Sequence, residues 1–257
     1  MNIFVSDTKH KSYFKIAVNS IILIIMMLAA LWIILSRINL VFDFSFLISV
    51  RKRLLDGFVM TVLISVCSLV LSLILGIISA VMHESKIILL SLFAKVYVTF
   101  IRGTPLIMQI YLFYYIVGTA FGIENKLLCG ILILSIFEGA YISEIIRGSL
   151  LSMDSTQLEA AKAVGFNKSQ TAAYVILPQL VTRTLPGLTG QFASIIKDSS
   201  LLSMIAVIEL TQTIREISSA NFKLFESYLF LGILYLILTL PITFVSKRLE
   251  RRFNYDA

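Results

Sequence analysis

From Gly57 to Met82 the chain carries no charged side chain. A membrane-spanning helix needs about 20 mostly apolar residues, and a backbone in lipid must satisfy its own hydrogen bonds within the segment. This stretch therefore confines the fold to helices that cross a bilayer. Composition agrees, because 58% of the 257 residues are hydrophobic and 14% charged, too apolar for an ordinary soluble globule. The net charge of +7 comes from Lys and Arg beside the apolar runs, the pattern of membrane flanks. There is no basic stripe with interleaved aromatics, so nucleic acid is not an expected partner. Cys67 and Cys129 lie in apolar segments without metal-ligating neighbours and read as packing residues.

Residues 1–15 are polar and place Lys9, Lys11 and Lys15 ahead of an apolar run over 16–35. This predicts a cytoplasmic N-terminal tail and a retained anchor helix. A cleaved signal peptide competes, but its apolar core is shorter, about 7–15 residues, and ends in a small-residue cleavage site. Residues 36–56, with Arg37, Arg51, Lys52 and Arg53, form a link that the topology places outside despite its charge. In the span 57–82, Thr61, Ser65, Ser68, Ser72, Gly76 and Ser79 predict close helix approach. A turn at His83–Lys86 leads to a helix over 87–117, which Pro105 should kink.

Further spans are expected over 127–150, 187–208 and 227–245. Between the last two lies a polar external loop with Glu209, Arg215, Glu216, Lys223 and Glu226. Lys247, Arg248, Arg251 and Arg252 close the last span, and 253–257 form a C-terminal tail. Six spans put both termini on the cytoplasmic side, together with the polar passage 154–179, and the distribution of positive residues favours that orientation.

The passage from Asp154 to Gln179 is the one polar helix-turn-helix in the chain. Thr156 and Glu159 have capping-box spacing and predict a helix start. Leu158, Ala161 and Val164 recur at helical spacing, and Gly165 can take the left-handed conformation past the helix end. Asn167 with Gln170 can cap a second helix, whose apolar side is Ala172, Val175 and Ile176 and which Pro178 should end.

Glu159-Ala160-Ala161, then Gly165, then Val175-Ile176-Leu177-Pro178 resemble the EAA loop of membrane permeases of bacterial ABC importers. Val175 stands where that pattern usually has Ile. Tyr97, Arg102-Gly103-Thr104-Pro105-Leu106 and Gln109 are similar to a signature of the polar amino acid branch. So are the run Ala140–Gly148, with Tyr141, Glu144 and Arg147, and Lys197-Asp198-Ser199-Ser200-Leu201, where Ser199 replaces the usual Thr.

The resemblance implies an all-α polytopic membrane protein in the bacterial cytoplasmic membrane. It would have a five-span permease core over 57–252 and one extra N-terminal helix. It implies import of a polar amino acid by alternating access, with Glu159, Ala160, Ala161, Gly165, Leu177 and Pro178 engaging a cytoplasmic ATPase dimer. It also implies a second permease subunit, identical or paralogous, and an external amino acid binding protein. No Gly-x-x-x-x-Gly-Lys-Ser/Thr phosphate loop occurs in the chain, so it is not expected to be an enzyme. ATP and Mg would belong to the partner ATPase.

A charge at mid-membrane costs at least ~2.5–3.5 kcal/mol on insertion scales, so Glu138 and Asp198 need partners or a wet cavity. With Gln109, Tyr141 and Gln191 they form the candidate substrate site, where Glu138 would meet a cationic group and the others would offer hydrogen bonds. The structural alternative stays open: Glu138 and Asp198 could pair with Lys197 or Arg102 and fix helix packing. Glu144 and Arg147, three apart, read as a pair at the cytoplasmic boundary. Two other functions also compete, an ion-gradient-driven secondary transporter using Glu138 and a membrane scaffold without transport. The scaffold gives no reason for the helix pair over 154–179.

Overall fold

The computed structural model describes residues 13–38 and 42–253. The expected tail before residue 13, residues 39–41 of the link and residues 254–257 lie outside the described residues, as do the side chains of Arg251 and Arg252. The chain divides into two compact units, residues 1–44 and 45–257. In the first, a helix α1 (Tyr13–Ile38) covers the apolar run over 16–35 and extends beyond it at both ends. It is apolar all round, and its described side chains are mostly exposed.

The second unit begins with a short helix α2 (Phe46–Ser49) and a long one, α3 (Arg51–His83). Arg51, Lys52 and Arg53, read as part of the link, are instead the first turn of α3. A turn at Glu84–Ile87 reverses the chain into α4 (Ile88–Gly103), followed by α5 (Leu106–Tyr111) and a π-helical continuation, Leu112–Gly118. α6 (Lys126–Leu151) leads to two short helices, α7 (Ser155–Ala163) and α8 (Lys168–Thr171). A π-helical turn, Ala172–Ile176, then joins α8 to α9 (Leu177–Asp198). A 3-10 segment (Ser199–Ile205), α10 (Leu210–Asn221) and α11 (Leu224–Phe253) complete the unit, and no strand occurs among the described residues.

Three of these helices, α3, α6 and α11, are long and apolar enough to cross a membrane. α4 and α5 with its continuation make a fourth candidate when taken together. α9 is too polar to read as a lipid-facing span, but its 22 residues reach about 33 Å at ~1.5 Å per residue, long enough for the fifth.

α3 and α6 form the centre of the unit, and small residues set their approach. Thr61, Ser68, Ser72 and Ser135 are fully buried. A Cβ on Gly76 would lie 2.5 Å from Ile142 Cγ2 and 3.1 Å from the Gly139 carbonyl. The Ser143 hydroxyl donates to the Ser79 hydroxyl at 3.1 Å across the same seam. Around it, Ile64, Ile110, Leu134, Ile195 and Leu202 fill the core without exposure.

Four expectations change. Pro105 does more than kink its helix: α4 and the α5 segment are bent by 112°. Thr104 and Pro105 are both extended, because the ring of Pro105 excludes the helical conformation from the residue before it. Pro178 does not end a helix but sits in the first turn of α9. It would remove the donor to the Tyr174 carbonyl and clash with it in a regular helix, and the preceding π turn widens the backbone at that place.

The helix expected from near 187 consequently starts at Leu177, carries Pro186 inside it, and gives way to the 3-10 segment after Asp198. Finally, the polar external loop is largely the helix α10. Leu210, Ile214 and Ile217 are fully buried on it and pack with Phe46, Leu54 and Leu231. Glu209, also fully buried, caps it by accepting from the Thr211 and Gln212 backbone N–H groups, both at 2.8 Å.

Candidate functional site

The passage over 154–179 folds as a helix pair with a defined joint. The cap is not the Thr156–Glu159 box expected from spacing: Asp154 accepts from the Thr156 N–H at 2.9 Å, and α7 starts at Ser155. That bond, then the Thr156 hydroxyl and the charge of Arg183, hold the Asp154 carboxyl below its usual range. At the other end Gly165 has φ +83°. Its N–H donates to the Lys162 carbonyl at 3.0 Å, and the Phe166 N–H donates to that of Ala161, also at 3.0 Å. These two bonds form a Schellman motif, which requires the left-handed residue. Asn167 and Gln170 form the expected capping box around the start of α8.

Ala161 is buried, while Glu159, Ala160 and Leu177 are exposed. Val164 and Tyr174 project further, each 71% exposed, and the Tyr174 ring lies 6.2 Å from that of Phe166. The pair thus offers an apolar knob on an otherwise polar surface. Two ties invisible in the sequence fix it to the unit. Gln179 donates to both the Gln157 amide oxygen and the Val175 carbonyl, the latter at 2.9 Å. Arg183 on α9 donates to the carbonyl (2.5 Å) and hydroxyl (3.0 Å) of Ser152, just past α6.

Of the five candidate substrate residues, three come together. Glu138 on α6 has no exposed surface. Its Oε2 accepts from the Gln191 amide nitrogen on α9, and its side chain lies in contact with that of Asp198 on the same helix. Its Oε1 is buried without a donor. The carboxylate therefore has one engaged oxygen and one buried oxygen without a donor, next to a second carboxyl group.

Tyr141 lies one turn along α6, packed against the Phe137 ring at 5.1 Å, with the Arg102 guanidinium 5.4 Å above its own ring. Gln109 is not in this cluster. Its amide nitrogen donates to Thr104 Oγ1 (2.7 Å) and to the Ile101 carbonyl (2.8 Å), and the latter is the carbonyl that Pro105, lacking an N–H, leaves without its helical partner. Arg102 does not reach Glu138 either. It donates to Glu144 at 2.7 Å, and Glu144 also pairs with Arg147, as its spacing suggested.

Residues 72–255 match the family described as binding-protein-dependent transport system inner membrane component. The chain belongs to this family. The permease is 36% identical over 215 residues to the glutamine transport system permease protein GlnP of Escherichia coli, covering 83% of this chain and 98% of that one. It is 35% identical over 209 residues to the probable glutamine ABC transporter permease protein GlnM of Bacillus subtilis, covering 77% and 94%. Its fold matches a crystal structure of an amino acid ABC transporter with histidines, with a TM-score of 0.77 and 30% identity over 83% of this chain and 100% of that one. An inward-facing methionine ABC transporter shares the fold with a TM-score of 0.64 at 19% identity, covering 82% and 99%.

The permease is thus a multi-pass protein of the cytoplasmic membrane and a translocation component. Family membership displaces both the secondary-transporter and the scaffold readings. The family match begins at Ser72, leaving α1, α2 and the part of α3 before Ser72 outside it.

Proposed function

We propose that the chain is the permease subunit of an ATP-driven importer for a polar amino acid, with L-glutamine the first ligand to test. One observation carries the mechanism. The helix pair over 154–179 continues through a π turn, without a break, into α9, which brings Gln191 and Asp198 to Glu138. A displacement of the knob formed by Val164, Phe166 and Tyr174 is thereby passed to the helix that carries Gln191 and Asp198.

In this reading a cytoplasmic ATPase dimer, holding ATP and Mg, grips the helix pair through Glu159, Ala160, Ala161, Gly165, Leu177 and Pro178. Both termini lie in the cytoplasm, a second permease subunit completes the pathway, and an external binding protein delivers the ligand. The ligand ammonium donates to the unpaired Oε1 of Glu138, Gln191 holds the other oxygen, and Asp198 adds negative charge. Tyr141 lines the approach. Gln109 stands at the break, where its amide nitrogen is engaged and its Oε1 is buried without a donor.

The test is L-glutamine uptake and ligand-stimulated ATP hydrolysis by the assembled complex in lipid, comparing wild type with Glu138→Gln. The variant keeps shape but loses the charge that faces an ammonium, so stimulation should drop at least tenfold, on the order of 1.4 kcal/mol or more. Uptake in wild type with unchanged stimulation in Glu138→Gln would remove Glu138 from the ligand site.

A further inference from the structure

About 33 Å along α9 from the coupling helices, the 3-10 segment Ser199–Ile205 and α10 border an open concavity of about 660 Å³. Its size lies within the about 300–1,000 Å³ of small-molecule sites. We propose that it is a second amino acid subsite, which takes a zwitterionic α-amino acid on the external side before it reaches Glu138. The proposal rests on the importer reading given above.

The polar lining has the three parts such a ligand needs. Arg215 is exposed and makes no ion pair among the described residues, although it sits in the same concavity as a carboxylate. Glu216 is held from two sides: Arg53 donates to its Oε2 at 2.7 Å, and the Gln212 amide nitrogen donates to its Oε1 at 3.1 Å. With its nitrogen so engaged, Gln212 is left with a buried Oε1 that no donor reaches. An unpaired buried acceptor is costly, and a ligand ammonium would satisfy it while contacting Glu216. The guanidinium of Arg215 is then free for the α-carboxylate, in the planar two-bond geometry that Arg favours.

The wall of this concavity is also the wall of the inner cluster. Ser203 lines the concavity, and Asp198 immediately precedes the segment that carries Ser203. At ~2.0 Å per residue of 3-10 helix the two are separated by about 10 Å along the segment. A 3-10 run of seven residues exceeds the usual three or four and is the kind of stretch found at hinges. It ends at Ala206, a non-glycine residue with φ 56°. Occupancy outside is thereby placed to shift the segment that positions Asp198.

The experiment uses the full permease–ATPase complex in proteoliposomes, with Ser219→Cys in a Cys67→Ala, Cys129→Ala chain and a membrane-impermeant maleimide. Uptake is first screened across the standard amino acids, L-glutamine leading, and a transported one is the probe. At saturating concentration it should slow labelling at least fivefold, whereas its decarboxylated amine should not. In Arg215→Gln the protection should vanish while the unliganded labelling rate, which reports an intact α10, stays as in the parent. Protection that survives Arg215→Gln, no protection in a complex that transports the probe, or protection given only by loaded binding protein would each overturn the proposal. The last result would make the face a protein-docking surface. A complex that transports no amino acid overturns the importer reading instead, and this one with it.

Discussion

Gly165 offers a clean perturbation of the coupling joint because its cost can be worked from one dihedral angle. Its φ is +83°, and a Cβ added there would meet no atom within 4 Å. Gly165→Ala therefore introduces no clash, only the backbone penalty of a left-handed L-residue, about 1–2 kcal/mol. That is a factor of about 5–30 in the population of the formed joint. Gly165→Asn should recover much of this loss, since Asn tolerates the left-handed region. Gly165→Pro should be worst, because it cannot adopt positive φ and deletes the N–H bonded to Lys162 at 3.0 Å. The readout is stimulated ATP hydrolysis by complexes shown to assemble by gel filtration, expected in the order Gly, Asn, Ala, Pro. If Asn is no better than Ala, or all four assembled complexes hydrolyse ATP at one rate, the left-handed joint is not what transmits closure.

Gly76→Leu should abolish recovery of folded protein in fluorescence-detected chromatography, because a Cβ alone would already sit 2.5 Å from Ile142 Cγ2 and 3.1 Å from the Gly139 backbone; a monodisperse peak would show that α3 and α6 can separate. Asp154 has its carboxyl held below the unfolded value of about 3.9. Its contribution to α7 is thus present in full above about pH 4 and lost as pH falls through the lower folded value. Exchange protection of the α7 amides, normalised to intrinsic rates, should fall on acidification in wild type and stay level in Asp154→Asn, which retains the cap. A double-mutant cycle of Arg102→Gln and Glu144→Gln should give a coupling of only about 0.2–1 kcal/mol in thermal unfolding, since both partners are partly exposed; a coupling well above that would mean the pair is shielded in the assembled complex.

The long apolar helices were legible because lipid leaves few alternatives to a helix and the runs are long. The buried seam of α3 was legible too, since Thr61, Ser68, Ser72 and Gly76 are the residue sizes that two close backbones demand. α10 was missed although Leu210, Ile214 and Ile217 carried its helical period; the polar residues between them, Arg215 and Glu216 among them, masked a narrow apolar stripe. The courses at Pro105 and Pro178 could not be separated by sequence. The same ring produces a 112° break at one place and a continuous helix at the other. What differs is the neighbouring backbone, extended at Thr104 and π-helical from Ala172 to Ile176. Glu138 and Asp198 were identifiable from the cost of charge in lipid, whereas their meeting, and the bond of Gln191 to Glu138, depend on how α6 and α9 rotate about their axes. Gln109 was grouped with them by depth, and depth does not specify direction.

Two ties determine how far coupling can travel. Arg183 clamps the start of α9 to the end of α6 at Ser152, and Gln191 joins the same two helices again at Glu138. α6 and α9 are therefore pinned at both levels, and a pull on the helix pair cannot slide one past the other without breaking the Arg183 bonds. The irregular turns lie outside the pinned stretch, a π turn before Leu177 and the 3-10 segment after Asp198. Deformation should concentrate in these two places, because their hydrogen bonding is poorer than that of the regular helix between them. The carboxyl cluster then moves as part of a rigid pair, and access to it changes at the segment Ser199–Ile205, not at Glu138 itself.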